Sequence, residues 1–310
     1  MERVALKCAL LVLMASSGVQ AQESPSTPPL MVAGEFRYEV TVRELDLGRR
    51  PDVQVHSSVE TWQVAEPAAD GTQQIRMQRD QCALDEAAST PDPKLHARLR
   101  ELADVLCGQP VHMQLGPDGS VVVGNSAQLV ASVRQQLAAA LAPSAPAGAG
   151  LEPAFIEETI DAVANREAIE VDIGEGLARV RFPTTVYPAA FADEGPNPLD
   201  GALIRWDHRV TQLPDDGDGV RVRWTAQPDK AAVQASLQAL ADSIGSVTAG
   251  ATHNLARAVA GDRELGITRD YRLDAAGRVL DSTSVTVRRL GDVHERLEEI
   301  VRLLEPSTAP

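Results

Sequence analysis

Few side chains in this sequence have chemistry to offer, and they are scattered. The histidines are His56, His96, His112, His208, His253 and His294. None falls in a His-Glu-x-x-His spacing and no cysteine-rich zinc pattern exists, so no metal ligand set is expected. His208 shares the Trp206–Val210 face of an alternating run. There it could act as a base lining a pocket beside a carboxylate, or be a core histidine with satisfied nitrogens. Arg269 lies on the Ile267–Tyr271 face of another run. It could meet an anionic group of a ligand inside the sheet, snorkel to the rim, or pair with a core carboxylate. Trp62, Trp206, Trp224 and Tyr271 are carried on strands. With His208 and Arg269 they are candidate lining residues for an apolar concavity, or plain core.

Three other signals resolve against chemistry. Asp215, Asp216 and Asp218 beside Gly217 and Gly219 suggest a calcium loop, but Pro214 takes the first ligand position and Thr225 the bidentate one. That stretch reads as a hairpin turn. Gly174-Glu-Gly176 hints at a dinucleotide loop, yet Arg179 replaces the third glycine and Phe182-Pro183 follows instead of a helix. No Gly-x-Ser-x-Gly elbow and no Walker loop occurs. No catalytic residue and no cofactor is expected.

Cys82 and Cys107 lack the Cys-x-x-Cys redox spacing. They read as a disulfide in an oxidising compartment, against the alternative of two free thiols. A helix over 93–106 would span about 21 Å. The connector of residues 83–92 can extend roughly 33 Å, so it can return Cys82 to the far end of that helix.

The compartment is read from the N-terminus. Arg3 and Lys7 supply a positive region, Ala5 to Ala15 an apolar stretch, and Val19-Gln20-Ala21 the small residues a signal peptidase reads. Cleavage is expected after Ala21, giving a secreted, periplasmic, soluble chain. Cys8 precedes most of the apolar run, which does not suit lipidation. No later stretch reaches the length of about 20 apolar residues that a membrane helix needs. A formal net charge of −15 argues against nucleic acid and anionic lipid surfaces as partners. Aromatics are only 3%, so the core must be mainly aliphatic.

Hydrophobic periodicity then divides the chain: signal 1–21, disordered leader 22–33, first half 34–142, linker 143–151, second half 152–305 and tail 306–310. Strands are expected at Phe36–Val42, at Val53–Val64 with a bulge before Trp62, and at Ile75–Met77 after a turn at Asp70-Gly71. Asp92-Pro93 opens a helix. Val111–Leu115 and Val121–Val123 form a hairpin, and Leu129, Val133, Leu137 and Leu141 a helix. Beyond the linker, Pro153 starts a helix carrying Ile156, Ile160 and Val163. Ile169, Val171 and Ile173 alternate like a strand, and Pro183 to Pro198 reads as a long ordered loop. Ile204–Val210 and Val220–Trp224 form a hairpin, and Asp229 caps a helix. Leu265–Leu273 and Val279–Val287 form another hairpin. Asp292 and Glu295 suggest a capping box for a final helix burying Val293, Leu297, Ile300 and Leu304. Hairpin, helix, hairpin, helix therefore occurs twice, at 52–142 and 201–305, pointing to a duplicated unit. The fold class is α+β, a curved antiparallel sheet with amphipathic helices on one face.

Val111-His-Met-Gln-Leu-Gly-Pro-Asp-Gly-Ser-Val-Val before a helix, and Asp270-Tyr-Arg-Leu-Asp-Ala-Ala-Gly-Arg-Val-Leu, resemble a signature of uncharacterised exported bacterial proteins. The sheet-plus-helix order is more distantly similar to the half-barrel fold of periplasmic lipoprotein carriers. That resemblance implies a fold and no catalytic residues. The leading expectation is a non-enzymatic periplasmic protein holding a lipid or other apolar molecule in a sheet–helix concavity. The alternatives are an acidic interaction module presenting Glu157, Glu158 and Asp161 to a basic envelope protein, and a hydrolase with a dispersed site.

Overall fold

The computed structural model describes residues 30–46, 52–85, 106–141, 157, 160–161, 164–182, 189–197, 202–214, 219–245, 263–290 and 293–304. The expected signal peptide, most of the expected leader, the helix expected from Asp92-Pro93, the linker, the turn expected at Asp215–Asp218 and the tail lie outside the described residues.

Eleven antiparallel strands form one sheet: β1 (Gly34–Asp46), β2 (Asp52–Val64), β3 (Gln73–Asp85), β4 (Pro110–Leu115), β5 (Val121–Val123), β6 (Ala189–Pro196), β7 (Leu203–Leu213), β8 (Val220–Pro228), β9 (Arg263–Leu273), β10 (Val279–Leu290) and β11 (Val293–Leu304). Their spatial order is β5-β4-β3-β2-β1-β11-β10-β9-β8-β7-β6. Each half is a meander, and the two meet where β1 pairs with β11, Val40 opposite Val301. The described helices are α1 (Ser126–Leu141), α2 (Arg166–Val180) and α3 (Lys230–Gly245). β5 and β6 are consecutive strands at opposite edges. At the usual strand spacing those edges are about 48 Å apart along the sheet. The connection carrying α1 and α2 must therefore cross the sheet, which is what lays helix over strand.

Alternation puts one face of every strand under that cover. Phe36, Tyr38 and Val40, Trp62 and Val64, Ile75 and Met77, and Val111, Met113 and Leu115 are buried with α1 (Leu129, Val133, Leu137) and α2 (Ile169, Ile173, Leu177, Val180) in a first core. Ile204, Trp206, Val210, Val222, Trp224, Tyr271 and Leu273 join Val233 and Leu237 of α3 in a second. Asp229 caps α3, its Oδ1 accepting from the Ala232 N–H at 2.7 Å. The β9–β10 turn uses Gly277 at φ 81°, where a side chain would be strained, and Asp274 Oδ1 accepts from the N–H groups of Ala276 and Arg278. The bulge expected near Trp62 lies on β3: the β2–β3 register shifts between Ser57 and Val59, beside Gln81 at φ 52°. Immediately after it, Cys82 is at disulfide distance from Cys107, with Cα atoms 6.2 Å apart.

Four expectations are corrected. Val293–Leu304 is a strand, not a helix. Its heptad-like apolar spacing suits a helix, but two unpaired strand edges flank it, and pairing with both β1 and β10 satisfies its backbone on each side. The second run of elements thus ends on β11 where a repeat required a helix. Ile169, Val171 and Ile173 lie in α2: only Ile169 and Ile173 are fully buried, and Leu177 and Val180 continue a helical stripe. Ala189–Pro196, read as loop, is edge strand β6, where a terminal proline is tolerated. Leu30–Val32, at the end of a leader expected to be disordered or extended, pack on the first core, and Gln73 fastens Met31 through its own amide, at 3.0 Å to the Met31 N–H and 2.8 Å to the carbonyl.

Candidate functional site

The helical cover meets the sheet through charge at its centre. Arg179, near the end of α2, donates from Nε and Nη2 to Glu299 Oε1 on β11, at 3.1 and 2.6 Å. Its Nη1 lies 3.7 Å from Glu60 Oε1 on β2, which also accepts from Arg79 Nε on β3 at 3.2 Å. Arg79 reaches back to Asp172 of α2 at 3.8 Å, and Arg269 on β9 pairs with Glu175. Backbone carbonyls of α2 complete the dock: Ala178 accepts from the Tyr271 hydroxyl at 2.8 Å and Arg179 from the Ser282 hydroxyl at 2.9 Å.

Burial alone would weaken these charges, but their partners outweigh it. The Arg179 guanidinium is held above its ordinary range by Glu299, Glu60 and Asp172, against desolvation. Burial works against the Glu299 carboxylate too, yet Arg179, with Arg269 and Arg79, keeps its pKa below the usual range. Such a network is costly to break singly, about 3–5 kcal/mol for one partner removed, although the intact pair contributes little net stability over apolar residues.

The candidate lining residues all sit on the covered face, in two places. Trp62 is fully buried in the first core, its Nε1–H donating to Glu60 Oε2 at 3.2 Å. It is not brought to the others. Trp206 packs in the second core close against Gly195, where a Cβ would stand 2.9 Å from its ring. His208, Trp224 and Arg269 do come together, as a row of planes crossing β7, β8 and β9. Phe191 stacks on His208 with centroids 4.7 Å apart, His208 on Trp224 at 5.4 Å, and Arg269 lies 5.0 Å over the Trp224 ring. Tyr271 meets Phe182 edge-on at 5.1 Å. Of the readings left open for Arg269, pairing with a carboxylate is the one found.

His208 also has the carboxylate partner considered for it: Nε2 lies 2.8 Å from Asp193 Oδ1, both groups buried. Among the described residues, its Nδ1 and the Trp224 Nε1 are buried without a hydrogen-bond partner. Asp193 and Phe191 escaped sequence reading because Pro183–Pro198 carries no clean alternation. Glu175, Arg179 and Glu299 escaped because their elements were misassigned. Glu60 had a legible signal, sharing parity with Trp62 and Val64.

Between the start of β1, Leu30–Val32 and the end of α2 lies a void of about 20 Å³, lined by Phe36, Tyr38, Val180, Phe182 and Arg278. That is water-sized, far below the several hundred Å³ of a small-molecule site. A groove of about 460 Å³ on the opposite sheet face is lined by Arg272, Leu280, Asp281, Thr283, Ile300 and Arg302. Of the acidic residues considered for a basic partner, Glu157 is exposed, Asp161 is engaged by Arg134 at 2.7 Å, and Glu158 lies outside the described residues. Among the described residues no three-ligand metal grouping occurs, and no helix is long and apolar enough to cross a membrane.

No family model and no curated protein matches the chain. Among solved structures it is similar to lipovitellin, in a structure concerned with lipid–protein interactions, at 10% identity over 90% of this chain and a TM-score of 0.43. The chain spans 26% of the length of that lipovitellin chain. A structure of MucB in complex with MucA(peri) matches at 9% identity over 87% of this chain and 89% of that one, with a TM-score of 0.13.

Proposed function

We propose that this chain binds an apolar molecule between its sheet and its helical cover, in an oxidising compartment outside the cytoplasm. One observation carries the reading: α2 buries an apolar stripe on the sheet, and the ion pairs and carbonyl bonds beside that stripe add little net stability to the dock. Opening such a dock returns Arg179, Glu299, Glu60 and Glu175 to water, and rehydration roughly offsets the lost attraction. The main cost is exposure of Ile169, Ile173 and Leu177 and of the strands beneath them. For the three side chains of α2 alone, at about 1.5–3 kcal/mol each, that cost is roughly 4.5–9 kcal/mol. A ligand recovers about 0.8 kcal/mol per buried methylene, so a chain of about ten methylenes offsets the share that belongs to the helix. The water-sized void beside α2 fits a ligand that replaces part of the cover and does not simply fill a space beneath it. The Cys82–Cys107 pair at disulfide distance supports the compartment.

The test is displacement of a fluorescent apolar probe by unbranched ligands of six to sixteen carbons, with native mass spectrometry of the same mixtures. Affinity should rise steeply beyond about ten carbons. Absence of binding at every length would end the proposal.

A further inference from the structure

We infer that the buried His208–Trp224 pair in the second core is a recognition site for a hydroxyl group carried by an apolar ligand; this rests on the binding reading above and adds the ligand's polar chemistry. His208 is 5% exposed, Trp224 9% and Asp193 9%. Burying a polar atom without a partner is costly, so two such atoms on adjacent rings call for a reason. Among the described residues neither nitrogen has a hydrogen-bond partner, although the other polar side chains of this row do: Asp193 holds His208, and Arg269 holds Glu175 and Ser284.

The chemistry of the pair turns on Asp193, whose Oδ1 lies 2.8 Å from Nε2. In the tautomer that donates its Nε2–H to that carboxylate, the imidazole carries its lone pair at Nδ1 and accepts there. The indole Nε1–H can only donate. The site therefore presents one acceptor and one donor on stacked rings whose centroids are 5.4 Å apart. A hydroxyl answers both, its O–H donating to Nδ1 and its oxygen accepting from Nε1–H. An ether or ester oxygen answers only the indole, and an ammonium only the imidazole. A carboxylate or phosphate answers only the indole and would face Asp193. Val210, Val222 and Ala226, buried around the pair, suit the hydrocarbon to which the hydroxyl belongs. Phe191 and Arg269 close the row at its two ends and fix the ring planes. The ligand class is thus a long-chain alcohol or another apolar molecule with a free hydroxyl.

The experiment uses the full chain labelled with ¹⁵N in its histidine rings. Dodecanol and methyl dodecyl ether, which share a chain and differ in the hydroxyl proton, are titrated against the same fluorescent probe. Dodecanol should displace it about tenfold better, as one hydrogen bond at the upper end of the usual range implies. The His208 Nδ1 resonance should move to the position of a hydrogen-bonded acceptor with dodecanol and stay with the ether. His208→Phe, which keeps the stack, should remove the preference for the alcohol, and Asp193→Leu can accompany it so that no carboxylate is stranded. Equal displacement by both ligands, or an unmoved Nδ1 resonance in the wild-type protein, overturns the hydroxyl site while leaving the apolar-ligand reading in place. If neither ligand displaces the probe, the broader reading falls and the site falls with it.

Discussion

The two cores under the sheet are built from the same alternating pattern, yet they treat polar atoms differently. In the first, the buried polar side chains of β2 and β3 are committed within the fold. Gln73 spends its amide on Met31 and Ala65, and Trp62 donates to Glu60, which also holds Arg79. In the second, Trp224 occupies a comparable strand position and donates to nothing, and His208 is bonded through one nitrogen only. The first end is additionally tied by Cys82–Cys107. A region whose buried strand polar groups are used internally is organised for rigidity. One that keeps a donor and an acceptor in reserve is organised to receive something. The ionic seam of Arg179, Glu299 and Glu60 lies at the boundary between them.

Three perturbations probe that contrast, beginning with the seam. Glu299→Leu strands Arg179 in a buried position and should cost about 3–5 kcal/mol in urea unfolding, while Arg179→Met added to it should restore most of the loss. A double variant no better than the single would mean the seam acts through geometry and not through charge. Next is the staple. Replacing Cys82 and Cys107 by serine should cost roughly 3–4 kcal/mol in the chain-entropy model. Hydrogen exchange should quicken in β2–β4 before it does in β7–β9, and uniform loosening would erase the distinction between the ends. The finest probe compares two tryptophans. Trp62→Phe and Trp224→Phe remove the same ring volume, but only the first strips a bond from a buried carboxylate. It should cost about 1.5–3 kcal/mol more in thermal or chemical unfolding, and equal costs would break the contrast outright.

Strand alternation was the legible part of the sequence. β1, β2, β4, β5 and β7–β10 were readable because one face is buried and the other wet, the condition under which period-two patterns survive. The Cys82–Cys107 pairing was readable because connector length permits it. The α2 segment defeated the same reading because Ile169, Val171 and Ile173 mimic alternation over five residues, and only Leu177 and Val180 disclose the helical period. β11 was opaque for the opposite reason. Its local preference is helical, and only the two strand edges waiting for it, each encoded far away, decide its conformation. His208 and Arg269 could be placed on the right face, but their partners Asp193 and Glu175 could not, since both sit on elements the pattern misassigned.

The position of β11 also governs the order in which the sheet can assemble. β1–β5 and β7–β11 are successions of local hairpins and local crossings that can form early, each as a half-sheet with one open edge at the future middle. The pairing of Val40 with Val301 joins them across most of the chain's length, so closure is a slow, non-local step. Until it happens, the edges of β1 and β11 carry unpaired backbone groups whose register suits each other. The same register exists between copies, so crowded, partly folded chains have a direct route to a domain-swapped pair in which β1 of one copy closes on β11 of the next.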